Sequence, residues 1–279
     1  MKSQLNFKRI FSFNHLKPPL KTGVFYFSLF IFVSACSGII IPIKKKRDND
    51  LNDGYKAITQ HDFEDHLASL KIPFLQTPGI KVQKIDSKAY GYLSNLASEI
   101  IVNNEIFFKK LKSASITIID TEAPLHFSLP KGEIFISRGL ISKYIKHESM
   151  LASVLAFELA RSEKILYPKQ TMVPTGYIQL ERMLNLNRLN LEEKMEVHKW
   201  AHHLTVRTGF DGEYYLSWLQ TQNRNTADFI LLVGDANQIT REESLFKAFL
   251  IKGETEEKLV PRKESSKNFY TFINKVRDS

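Results

Sequence analysis

Glu158 is the residue on which any chemistry in this chain would turn. It lies in Glu148–Lys164, ESMLASVLAFELARSEK. Met150, Val154, Phe157 and Arg161 recur there at steps of three or four, and Leu151, Val154, Leu155 and Glu158 form the neighbouring stripe. That spacing predicts a buried helix. A carboxylate on such a stripe costs roughly 1–3 kcal/mol or more to bury unpaired, so Glu158 needs a partner. A second candidate set is His198 and His202, four apart on one helical face, with Glu196 close by. This spacing can hold zinc, but a solvated or half-buried helix face next to Trp200 is the commoner source of it. Ser137 and Ser149 neighbour His147 in sequence, a pairing that chance supplies often. The chain has no G-x-S-x-G, no phosphate loop and no dinucleotide fingerprint.

The elements that must position these residues read as mostly helix with one small sheet, an α+β architecture. Ala57–Leu70 has helical spacing with a start at Thr59 or Asp62, and Lys71–Lys84 reads as loop or short strand because of Pro73, Pro78 and Gly79. Ser87–Lys112 is a long amphipathic pattern. Ser115–Asp120 is a short strand, and Pro130-Lys131-Gly132 makes a tight connection into Glu133–Ser137, which alternates like an edge strand. Gly139–Ile145 reads as a short helix. Helices are expected over 178–189, 191–208, 213–221, 241–251 and 265–276, with Gly209 stopping the second of these and Thr226–Val233 a short apolar run before a turn.

The chain has 279 residues and a net charge of +9, with 43% hydrophobic and 25% charged residues. That suits one main domain plus a leader. The charge is skewed: residues 1–35 hold Lys2, Lys8, Arg9, Lys17 and Lys21 and no acid. Without them the surface is mixed, and the 20 Phe and 10 Tyr follow core-like spacing rather than a basic stripe, so no nucleic-acid partner is expected. A basic start, the apolar run Val24–Val33 and small residues before Cys36 describe an export signal. Val33-Ser34-Ala35-Cys36 resembles the lipobox of bacterial lipoproteins. Residues 1–35 are then a signal peptide and 36–55 a lipid-attachment Cys with a flexible tether. Residues 56–279 form the folded domain, which meets the membrane through lipidated Cys36. Ser37 resembles the residue of lipoproteins sent to the outer membrane. The alternative is an uncleaved inner-membrane anchor over Val24–Ile43, flanked by Lys44–Arg47, long enough to span. Both place the domain outside the cytoplasm.

From about residue 87 to 220 the chain resembles the gluzincin zinc metallopeptidases that include CAAX prenyl proteases and BepA-type protease-chaperones. The resemblance rests on Phe127-Ser-Leu-Pro-Lys-Gly132, Ile134-Phe-Ile-Ser-Arg-Gly-Leu140, Leu151-Ala-Ser-Val-Leu-Ala156 and Arg207-Thr-Gly-Phe-Asp211, in this order. Residues 240–279 would be a helical extension. The family's catalytic helix reads H-E-x-x-H, with two zinc ligands and a general-base Glu. Here the frame reads Phe157-Glu158-Leu159-Ala160-Arg161. Counting back from Gly209 puts the third ligand position on Lys194 and the second-shell acid on His198, while a slipped register would bring Glu193 or Glu196 to the ligand place.

Phe cannot coordinate a metal and Arg stays protonated, so the resemblance implies a peptidase fold without zinc. Arg161 and Lys194 would then pair with Glu158 as an ion cluster in place of the metal charge. Such a protein would bind or scaffold an envelope protein without cutting it. The old substrate groove beside Glu133, Ile134, Phe135, Ile136 and Ser137 would do the holding, unless Lys247–Ser279 fills it. The alternative is an active metalloendopeptidase with zinc on His198, His202 and Glu196 and Glu158 as base.

Overall fold

The computed structural model describes residues 58–169, 176–253 and 261–278. The leader, Cys36, Ser37, the 36–55 tether and Lys44–Arg47 lie outside the described residues. Among the described residues no helix is long and apolar enough to cross a membrane.

Helix α1, Gln60–Ser69, begins at Thr59, whose hydroxyl accepts from the Asp62 backbone N–H. A second helix, α2, Lys71–Leu75, follows at once. Loop or strand was expected there because of Pro73. Pro73 falls in the first turn, where its missing N–H is an orphan in any case, so the helix tolerates it. Phe74 then buries edge-on against Phe127 and Phe135.

Helix α3, Ser87–Asn103, is capped by Asp86 and stops nine residues short of the expected Lys112. Two polar groups explain the stop. The buried Asn104 side chain donates to the carbonyls of Ile100 and Leu204. Farther on, the Glu163 carboxylate accepts from the backbone N–H groups of Lys109 (3.0 Å) and Leu111 (2.9 Å), giving that stretch a side-chain partner in place of a helix.

The sheet has three strands, β1 Ser115–Ile119, β2 His126–Leu129 and β3 Glu133–Ser137, in the order β1-β3-β2. β3 runs parallel to β1, with Ser115 opposite Glu133, and antiparallel to β2, with His126 opposite Ile136. β3 is therefore the central strand and not an edge. Both its hydrogen-bonding sides are taken, so Glu133, Ile134, Phe135, Ile136 and Ser137 cannot receive an added peptide strand. A 3₁₀ turn, Pro130–Gly132, joins β2 to β3 with Lys131 and Gly132 both at positive φ. A Cβ on Gly132 would come within 2.8 Å of the Ser113 carbonyl, so that position needs glycine.

The expected short helix after β3 is a π-helical turn, Leu140–Tyr144. It leads into α4, Glu148–Lys164, which is buried along all but its last residue. Around α4 stand α3, β2, α6 (Leu191–Arg207) and α7 (Glu213–Arg224). Helices α5 (Leu180–Leu186) and α8 (Thr226–Val233) complete this side, the latter a helix rather than an unassigned apolar run. α9 starts at Ala236, earlier than expected, because Asp235 caps it, and it continues to Lys252. The last helix, α10, Lys267–Asp278, packs on α3 and on the π-helical turn.

Candidate functional site

The site is built where α4 crosses α6. Phe157, Glu158 and Arg161 of α4 and Lys194 and His198 of α6 line one cavity of about 50 Å³. His126, Trp218 and Gln222 close it. All five positions that the gluzincin resemblance marks thus face one another. Ligand-binding pockets span roughly 300–1,000 Å³. This cavity admits a water but no peptide.

Glu158 is 1% exposed. Its partner is His126 of β2, with Nδ1 2.6 Å from Oε1. Burial alone would raise the carboxyl pKa. The His126 hydrogen bond and charge, the Arg161 charge and the Ser128 hydroxyl together hold it below the ordinary carboxylate range. An ionised carboxylate only accepts, so the proton lies on His126 Nδ1 and donates. Glu158 Oε2 has no hydrogen-bond partner among the described residues.

The expected ion cluster is corrected on two counts. Arg161 does not bridge to Glu158. Its Nε donates to the Leu166 carbonyl at 3.2 Å and its Nη2 to the Asn187 carbonyl, and its guanidinium stands 4.8 Å from the Tyr167 ring centroid. The planar fork is used to tie the chain beyond α4 to the end of α5, and its charge reaches Glu158 only through space. Lys194 pairs instead with Glu242 of α9, at 2.8 Å.

Glu242 is the second buried carboxylate, and it also lies 3.4 Å from His198 Nε2. Burial raises its pKa, but the Lys194 charge and the His198 hydrogen bond outweigh burial and bring it down to about 2. Burial lowers the His198 pKa against the opposing pull of Glu242. A neutral His198 therefore donates from Nε2 to Glu242 and accepts at Nδ1 from the Tyr215 hydroxyl, 2.9 Å away. His198 is buried and not on a solvated helix face.

These commitments decide what the site can hold. A zinc ion does not fit the donors at positions 157, 161 and 194: a phenyl ring, a guanidinium bound to two carbonyls, and an ammonium bound to Glu242. Nor does the structure bring His198, His202 and Glu196 together. Glu196 is two residues from His198, so it points away from it, and it pairs with Lys199. His202 lies among Tyr215, Phe246 and Phe249. Among the described residues no three His, Cys, Asp or Glu side chains are grouped to hold a metal. His147 accepts at Nδ1 from the Ser149 N–H, which makes the pair a helix cap.

Sequence reasoning missed His126, Glu242 and Tyr215. A signal existed for the first two. His126 and Ser128 are the polar members of an otherwise apolar strand, two apart and so on one face. Glu242 shares a helical stripe with Ile239, Phe246 and Phe249. Nothing comparable marks Tyr215.

The chain matches no known protein-family model, and no curated protein matches it at a significant level.

Proposed function

We propose that the chain is an exported, lipid-anchored envelope protein whose folded domain is a degenerate gluzincin peptidase that binds or scaffolds an envelope polypeptide without cutting it. One observation carries this reading. Phe157, Arg161 and Lys194 line one small cavity with Glu158, the three of them standing where the resemblance puts three ligands and Glu158 where it puts the base. A peptidase needs an open metal position and room for a scissile bond. In this cavity the cations are bound to protein acceptors and Glu158 is bound by His126. The lipobox-like sequence ending at Cys36 supports the anchor.

The decisive experiment restores the ligands. The triple variant Phe157→His, Arg161→His, Lys194→Glu should bind about one zinc per chain and gain thermal stability from zinc. A folded triple variant with no zinc uptake would remove the gluzincin reading. Independently, the wild-type chain should leave a fluorogenic peptide library intact in the presence of zinc. Cleavage that disappears in Glu158→Gln would overturn the non-catalytic reading. For the anchor, Cys36→Ser should abolish incorporation of labelled palmitate, and incorporation that persists would overturn it.

A further inference from the structure

A much larger opening lies on the far side of the core, between α3 and α10. It has a volume of about 740 Å³, within the range of ligand-binding sites. One wall is a stripe of α3 that runs Lys88, Gly91, Asn95 and Glu99 at steps of three or four. The other wall is the Asn268, Thr271 and Lys275 stripe of α10. Most charges inside are already committed. Lys275 pairs with Asp86 at 3.4 Å and Arg262 with Glu99. Glu148, at the floor, accepts from the Tyr92 hydroxyl (2.7 Å), the Ser266 N–H (2.7 Å) and the Ser266 hydroxyl (2.8 Å).

Three exposed side chains are left over. Lys88, Asn95 and Asn268 make no hydrogen bond or ion pair among the described residues. They are one cation and two amides, all lining the same cleft. Gly91 is the independent sign. It sits inside a helix, where glycine is unfavourable relative to alanine. A Cβ there would meet no atom within 4 Å, so internal packing does not require glycine. What a bare backbone at this point allows is close approach from the cleft side.

We infer that the α3–α10 cleft is a binding site for an extended polypeptide segment carrying an acidic side chain. The acid meets Lys88, the main-chain amides are read by Asn95 and Asn268, and the segment crosses α3 over Gly91. An oligosaccharide suits the cleft less well. Phe272 is 1% exposed and the Tyr92 hydroxyl is tied to Glu148, so neither presents a whole ring face for a sugar to stack on. This inference stands whether or not the Glu158 cavity descends from a metal site, and it places the bound polypeptide away from β3.

The test uses the full chain in detergent micelles, panned against a displayed random-peptide library. Enriched peptides should share an acidic position and bind wild type measurably in fluorescence anisotropy. Gly91→Leu, which fills open space, should keep or raise the melting temperature and weaken binding by roughly tenfold or more, as should Lys88→Glu, the latter by loss of a charged hydrogen bond. Failure to enrich any peptide would overturn the inference. So would enriched peptides that bind Gly91→Leu as well as wild type, or glycan-array binding that Gly91→Leu abolishes.

Discussion

The cavity at Glu158 and the cleft above Glu148 treat their charges in opposite ways. At the cavity, buried Glu158 is bound to β2, and the Lys194 and His198 that line it are held from behind by buried Glu242 of α9. The volume left is about 50 Å³. In the cleft, Glu148 is likewise satisfied, but it lies beneath about 740 Å³ into which Lys88, Asn95 and Asn268 bring side chains that make no hydrogen bond or ion pair among the described residues. Buried charge in the first place fastens helices together, while exposed polar groups in the second are available to a partner.

That contrast can be broken by mutation. The largest effect is expected at Glu242. Removing it with Glu242→Ala leaves Lys194 and His198 without their acid, and breaking a buried pair costs about 3–5 kcal/mol. Urea denaturation would measure it, and a loss below about 1 kcal/mol would mean the pair fastens nothing. Acid should reach the same fasteners. Glu242 has a folded pKa of about 2 against an ordinary 4.5, and Glu158 is also lowered. A depressed folded pKa adds stability that is present above the unfolded value and lost as pH falls through the folded one. Denaturant midpoints should therefore fall as pH drops from 4.5 towards 2, and Glu242→Gln should flatten that slope.

At the cleft the sign reverses. Gly91→Ala should stabilise the protein by about 1 kcal/mol, since the helix gains propensity and the methyl group meets nothing. In a domain of this size that is a rise of about 2–4 °C in Tm. The smallest effects belong to Lys88→Ala and Asn268→Ala, each within about ±0.5 kcal/mol in thermal melts because neither side chain is held by the fold. A large loss from either would blur the distinction between the two regions.

Much of the fold was legible because periodicity and caps are local. The limits of α4 came from its apolar stripes, and the end of α6 from Gly209. Strand order was not legible. Alternation in β3 looked like an edge strand, yet Ile134, Phe135 and Ile136 are all buried, because helices cover one face and α2 covers the other through Phe74. For the site, the frame of Phe157, Glu158, Arg161, Lys194 and His198 followed from the resemblance, and the structure gathers those residues. The partners did not follow, because His126 and Glu242 come from elements 32 residues before and 44 residues after the groups they bind. Charge counting suggested Arg161 for Glu158. It could not foresee that two backbone carbonyls would take the guanidinium instead.

The grip on Glu148 has a consequence in time. Its acceptor oxygens are filled by Tyr92, already made, and by Ser266, which lies 118 residues later. At synthesis rates of about 5–20 residues per second, a growing chain waits on the order of ten seconds between making this carboxylate and making its last donor. The central helix must therefore sit incompletely secured while the nascent chain lengthens. The grip on Glu148 is complete only when Ser266, just ahead of α10, is present, and a chain cut short before it lacks both of that residue's donors.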